Sequence, residues 1–287
     1  MSIDRREFVR NAAGALAAAA IMPNDRTRPQ GLAPAPDRLD RLGVQLYTVR
    51  DLMQESVERT IAQVAEAGFK EVEFAGYFGR TPAQLAAVLR ENGLTSPSTH
   101  IGLPELRSED WARTVDLAAQ VGHQWLILAW IAPADRATVD RCKAIADALQ
   151  TAADVARQSN IRVGFHNHDG ELAPIEGTTA LDVMIERTQG TDVAFEMDLY
   201  WTVRAGADPL AYFARYPGRF PLVHVKDSGG APNHVMRDVG KGTIDFARIF
   251  AQRAHAGIQH FYVEHDEPGD ALASIRTSAA YLRTLTF

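Results

Sequence analysis

Between residues 39 and 287 short runs of apolar residues alternate with longer stretches in which apolar positions recur at three- and four-residue spacing. The short runs predict eight strands: Gly43–Tyr47, Glu71–Phe74, Thr95–His100, Trp125–Trp130, Arg162–His168, Asp192–Asp198, Leu222–Asp227 and Phe261–Asp266. The stretches between them predict helices. Val57, Ile61 and Val64 form one stripe that stops at Gly68, and Leu85, Val88 and Leu89 form another that starts at Thr81-Pro82 and stops at Gly93. Asp208-Pro209 repeats that start signal before Leu210 and Phe213; Phe246, Ile249 and Phe250 run to Gly257, and Leu272, Ile275 and Leu282 make the last stripe. A strand that is always followed by a helix returns the chain to the same end of the sheet, so the pairing is parallel. Eight such units match a (β/α)8 TIM barrel of about 250 residues. The competing doubly wound open sheet would place a glycine-rich phosphate turn after its first strand, and Val44-Gln45-Leu46-Tyr47-Thr48 carries none.

The barrel is expected to be a single α/β domain over residues 39–287, preceded by an export signal. Residues 1–22 carry Arg5-Arg6 with Phe8 and then an alanine-rich apolar run, which resembles a twin-arginine signal peptide; residues 23–38, rich in Pro and Arg, read as a linker. A periplasmic or secreted destination follows as an expectation, with no membrane attachment after processing. Without residues 1–36 the chain has 25 basic and 33 acidic side chains, a balance that lacks the electrostatic drive for nucleic-acid binding. The single cysteine, Cys142, excludes a disulfide scaffold or a thiolate cluster.

Alternate residues of a barrel strand share a face. Applied to each run, that parity turns Gln45, Tyr47, Glu71, Glu73, Ser96, Ser98, His100, His166, His168, Glu196, Asp198, His224, Lys226, Tyr262, Glu264 and Asp266 inward. Isolated charges are costly to bury, so a ring of them at the C-terminal mouth calls for a metal, a ligand or mutual pairing. Asp198, His224 and Glu264, with a further donor from the fifth strand, make a mixed oxygen and nitrogen set. Such a set suits one divalent ion, Mn²⁺ first and Mg²⁺, Co²⁺ or Zn²⁺ beside it.

Together with Gly43-Val44-Gln45-Leu46-Tyr47, the motifs Gly164-Phe165-His166-Asn167-His168-Asp169-Gly170-Glu171, Glu196-Met197-Asp198-Leu199-Tyr200-Trp201, His224-Val225-Lys226-Asp227, Gly240-Lys241-Gly242-Thr243-Ile244-Asp245 and Val263-Glu264-His265 resemble the xylose isomerase-like barrel superfamily, in its sugar phosphate isomerase/epimerase branch. The resemblance implies a metal held by an acidic residue of the fifth strand or its loop, and by Asp198, His224 and Glu264. Typical members carry a Glu at the fifth strand end. Here His166 stands there, so Glu171 is the expected first ligand and His166 the alternative. Trp201, where many relatives have a second His, is expected to form a wall for a sugar ring.

The expected activity is that of a metal-dependent sugar isomerase or epimerase, which abstracts a proton next to a carbonyl and passes through a metal-stabilised enediolate. His166 or His168 would take the proton, Lys226 would polarise an oxygen or donate a proton, and Gln45, Tyr47, Glu73, His100 and Trp130 would line the cup. Elimination from a 3-keto-glycoside is the alternative outcome, and a periplasmic sugar-binding protein without catalysis is another. A metal-dependent endonuclease is opposed by the charge. The expected partner is a small sugar or glycoside, with a homo-oligomer left open.

Overall fold

The computed structural model describes residues 37–287; the expected signal peptide and nearly all of the expected linker fall outside them. Among the described residues no helix is long and apolar enough to cross a membrane. Eight parallel strands close into a barrel: β1 (Gly43–Gln45), β2 (Glu71–Phe74), β3 (Thr95–Ile101), β4 (Trp125–Leu128), β5 (Arg162–His166), β6 (Ala194–Asp198), β7 (Leu222–Val225) and β8 (His260–Val263). Each strand pairs with its neighbours in sequence, and β8 closes on β1. The rim also carries two short antiparallel hairpins, Pro174–Ile175 with Thr178–Thr179 and Asp227–Ser228 with Met236–Arg237.

The helices start where the sequence offers a cap. Thr81 and Gln84 form a reciprocal capping box ahead of Pro82, while Ser56, Thr138, Thr179, Asp208, Asp245 and Asp270 each accept a backbone N–H of the first turn. Gly122, at φ 103°, ends the helix Trp111–Val121 in the left-handed conformation that favours glycine. The outward strand residues Val44, Val72, Phe74, Val163, Phe165, Val223 and Val225 are fully buried against these helices in one continuous core. Asp37 exchanges backbone hydrogen bonds with Phe287 in both directions, which ties the start of the described chain to its end.

Inside the barrel the filling is layered. Trp125, Ile127, Ala194, Leu222 and Tyr262 form a separate apolar plug at the lower end. Gly43 and Gly164 make room for it, because a Cβ on Gly43 would meet the Tyr262 ring and one on Gly164 the Ile127 side chain. Above the plug the interior turns polar. Strand register sets Gln45 beside Glu73, Glu73 beside Ser98, His166 beside Glu196 and Asp198 beside His224.

Several strands end earlier than the hydrophobic pattern predicts, and the reason is local. After Gln45 the chain winds into a 3-10 turn, Leu46–Val49, started by the Gln45 side chain accepting the Tyr47 N–H. Strand parity therefore stops at Gln45, and Tyr47 is 43% exposed rather than pointing down the barrel axis. β4 likewise stops at Leu128, which leaves Trp130 beyond the strand.

Candidate active site and metal centre

The strand ends bring Asp198, His224 and Glu264 together, with one donor atom from each within 4.8 Å of the others. All three are buried. Asp198 is held by its place at the junction of β6 and the helix Leu199–Arg204: its Oδ1 accepts the Trp201 N–H at 2.9 Å, and its own N–H is accepted by Asn167 at 3.2 Å. That leaves Asp198 Oδ2 directed into the cup with no donor aligned on it, although Lys226 Nζ lies 3.0 Å away. From β5, His166 presents Nε2 at 3.7 Å from Asp198 Oδ2.

A second tier of acidic side chains sits directly below. Glu73 is fully buried and accepts from Gln45 Nε2 at 2.7 Å and Ser98 Oγ at 2.5 Å. It also meets His224 Nε2 at 2.6 Å, while His224 Nδ1 lies 2.7 Å from Glu264. Glu196 Oε2 lies 2.8 Å from His100 Nε2, 3.1 Å from His166 Nδ1 and 3.2 Å from His224 Nε2. Parity turned Glu196 inward, but the sequence offered no reason to give it a role. Its place at the focus of three imidazoles depends on the β5–β6 register and on His100 standing at the end of β3.

The donor set fits a divalent cation in the upper tier, held by His166, Asp198, His224 and Glu264. Asp198 Oδ2 is buried without a hydrogen bond, an atom that is costly to leave unpaired. Each imidazole turns one nitrogen to this tier and the other to a carboxylate below, His224 to Glu73 and His166 to Glu196. A ligating histidine is oriented in this way when its second nitrogen is tied to a carboxylate. His100, His166, Glu196 and His224 form a further tight donor group, which shares two of its members with the upper set.

The electrostatics separate the groups by role. Burial raises Asp198 to about 6, against the pull of Lys226 and His224. Burial opposes the charge on Lys226, but Asp198, Glu264 and Asp266 outweigh it and hold the ammonium well above its ordinary value. Lys226 Nζ sits 2.7 Å from Glu264 and 2.6 Å from Asp266. Burial likewise opposes ionisation of Glu264 and Glu196, and their neighbours prevail: the charges of Lys226 and His224 for the first, the charge of His224 with hydrogen bonds from His100 and His166 for the second. His168 behaves in the opposite way. Burial and then Lys226 lower it to about 3, so it is a neutral imidazole, and its Nδ1 is buried without a partner.

Not every candidate reaches the cup. Glu171 is buried, but residues 169–172 form a 3-10 turn that folds its carboxylate back onto the His168 N–H at 2.7 Å and against Arg136 at 2.9 Å. It thus anchors the loop after β5 and lies outside both donor groups, and His166 is the fifth-strand side chain that faces the cup. Gln45 and Glu73 are sealed beneath the cup rather than lining it. Tyr47, His100, Trp130, His166, His168, Lys226 and Glu264 do line a cavity of about 960 Å³ above it. Trp201 stands behind His168, ring centroids 5.6 Å apart, and Lys226 Nζ lies 5.9 Å from its ring.

The Gly240–Asp245 motif works at one remove. The buried Asp227 carboxylate accepts the N–H groups of Ser228, Gly240, Gly242 and Ile244 at 2.8–3.1 Å. A Cβ on Gly242 would collide with that carboxylate. Asp227 therefore fixes the loop next to Lys226, which is one residue away.

The xylose isomerase-like TIM barrel family matches this chain over residues 61–285. The inosose dehydratase of Geobacillus kaustophilus is 23% identical over 259 residues, which cover 77% of this chain and 83% of that protein. The inosose dehydratase of Lacticaseibacillus casei is 26% identical over 153 residues, 48% of this chain and 51% of its own length. Among solved structures, a sugar phosphate isomerase/epimerase from Parabacteroides distasonis superposes with a TM-score of 0.74 at 24% identity, covering 91% of this chain and 98% of that one. The IOLI protein with a bound zinc atom superposes with a TM-score of 0.66 at 13% identity, over 84% and 95% of the two chains. At these identities the superpositions establish the fold. Because the family match runs from the helix after β1 to the last helix, the chain belongs to the xylose isomerase-like TIM barrel family.

Proposed function

We propose that this protein is a metal-dependent lyase: it removes a proton next to the carbonyl of a polyhydroxylated ketone and expels the substituent on the neighbouring carbon. The observation that carries this reading is the unlike pair of groups beside the cup, an ammonium on Lys226 and a neutral imidazole on His168, both lining one cavity. Epimerisation by a two-carboxylate route needs an acid/base carboxyl on each face of one carbon, and with His166 in place of a carboxylate at the end of β5 that pair is missing. Elimination needs one base and one acid. The relatives named inosose dehydratase support the same class.

A divalent cation in the cup would act as a Lewis acid on the substrate carbonyl. His166 is committed to the donor set, so His168 is the base: it lines the cavity as a neutral imidazole whose Nδ1 has no partner. Lys226, 2.7 Å from Glu264 and 2.6 Å from Asp266, provides the proton for the departing oxygen. His100, locked on Glu196, presents its ring to the cavity and positions a hydroxyl. Aldose–ketose isomerisation is the second reading, favoured by the likeness to the isomerase/epimerase fold.

The test is incubation of metal-loaded protein in D₂O with inososes, keto-hexoses and 3-keto-glycosides, followed by NMR. An unsaturated product with release of water or alcohol is expected. Deuterium at a carbinol carbon of an otherwise intact sugar would instead identify an isomerase or epimerase. Manganese as the resident ion and export across a membrane belong to the same proposal, and are tested by elemental analysis and by fractionation of the native host.

A further inference from the structure

The cavity above the cup is much larger than one sugar ring requires. Its volume of about 960 Å³ lies near the top of the roughly 300–1,000 Å³ range of sites that enclose a whole drug-sized ligand. Its two walls also differ in chemistry. One carries His166, His168, Lys226, Glu264 and Asp266 from the ends of β5, β7 and β8. The other is built from the end of β3 and the segments after β1, β3 and β4, and presents Tyr47, Ile101, Leu103, Pro104, Trp130 and Ile131.

Exposure sharpens that contrast. Four large apolar side chains are exposed among the described residues, and two of them, Tyr47 at 43% and Trp130 at 53%, stand on this wall. The Arg50 guanidinium already covers one face of the Tyr47 ring, 4.2 Å from its centroid, so the Trp130 indole is the main surface left for stacking a ring. Two of the polar groups on that side are already engaged, His100 on Glu196 at 2.8 Å and Glu105 as acceptor of the Gly102 N–H at 2.6 Å, which leaves the Tyr47 hydroxyl, Arg107 and Asp135. A second sugar would bring a hydroxyl on nearly every carbon, more than these groups can satisfy, whereas a planar apolar ring needs none.

We infer that this wall is a subsite for an aromatic aglycone, so that the substrate is an aryl glycoside whose sugar ring carries a ketone. The inference rests on the lyase reading and specifies its leaving group. The step balances without an external oxidant or reductant: the C–H electron pair next to the carbonyl becomes a C=C bond, and the C–O bond to the aryl group breaks. The carbon-bound proton passes to His168, and Lys226 protonates the aryl-oxide to a phenol. The ketone itself must be produced beforehand by an oxidation of the glycoside.

Binding tests the subsite independently of turnover. Phenyl and methyl glucosides and galactosides, which have no ketone, are titrated calorimetrically into metal-loaded protein, with cellobiose alongside. The phenyl member of at least one pair is expected to bind ten times more tightly or better than its methyl partner. Trp130→Ala, a half-exposed position whose loss leaves the melting temperature in place, is expected to remove most of that difference. Equal affinities within every pair, no measurable binding of any member, or tighter binding of cellobiose than of phenyl glucoside each overturns the aryl subsite. Failure of the lyase reading has a different signature: aryl preference persists while keto-glycosides are left intact.

Discussion

Among the described residues Lys226 is the lysine or arginine that meets the most carboxylates. It is 1% exposed, and its ammonium lies 2.6 Å from Asp266, 2.7 Å from Glu264 and 3.0 Å from Asp198. Lys226→Met keeps the length of the side chain and removes the charge, leaving buried carboxylates facing one another. Removing one partner of a buried ion pair costs about 3–5 kcal/mol. For a domain of this size each kcal/mol moves the midpoint by roughly 2–4 °C, so the chelator-treated variant is expected to melt roughly 6–20 °C below the parent. A divalent cation bound beside Asp198 and Glu264 supplies positive charge where the ammonium was. At a hundredfold excess over Kd, binding contributes about 2.7 kcal/mol, and more in the variant, whose empty site is the more negative. Thermal melts of both proteins with chelator and with Mn²⁺ are therefore expected to show a gap that at least halves when metal is present. Equal melting in chelator, or a gap that metal widens, refutes the electrostatic reading. The same variant separates acid from base: deuterium exchange next to the carbonyl should survive while loss of the leaving group collapses.

Glu73→Gln replaces an acceptor of three hydrogen bonds with a group that has one acceptor oxygen, and so loosens His224 Nε2. Metal affinity, read by competition with a chromogenic chelator, should fall about 10–100-fold, and an unchanged affinity would show that His224 is not oriented from below. His123 gives a pH signature away from the site. It is buried against Ser96, its Nε2 has no partner, and burial lowers it from 6.5 to about 4. The unfolded chain binds that proton near pH 6.5 and the folded chain only near 4, so this contribution is complete above pH 6.5 and lost as pH falls to 4, in all about 3 kcal/mol. His123→Phe should flatten that part of the urea-denaturation profile; an unchanged slope assigns it elsewhere. Asp227→Ala strands the four N–H groups of the 228–244 loop, and hydrogen exchange should speed up there while the barrel strands stay protected.

The barrel was legible because period-2 and period-3.6 patterns alternate cleanly and because Thr81, Asp208 and the glycine stops mark the helix boundaries. Asp198, His224 and Glu264 were legible for the same reason: strand parity holds up to each of them or one residue beyond. Tyr47 and Trp130 show where it fails, since both lie past the last ladder hydrogen bond and follow loop geometry instead. Glu171 shows another limit. Its fate was decided by Arg136, far away in sequence, and by a turn one helical twist long. Gln45 and Glu73 face inward as parity requires, yet depth along the axis depends on register, which the pattern within a single strand does not encode. Register also hid Glu196, whose three imidazole neighbours come from three different strands.

The chemistry turns on one divalent cation held by His166, Asp198, His224 and Glu264. Elemental analysis of protein loaded with Mn²⁺ and freed of excess by gel filtration measures this directly. The parent and His168→Gln should each carry one ion per chain, and Asp198→Asn/Glu264→Gln, folded by circular dichroism, should carry less than a tenth. A full equivalent retained in the double variant would contradict the assignment and move the cation to the His100–His166–Glu196–His224 group below.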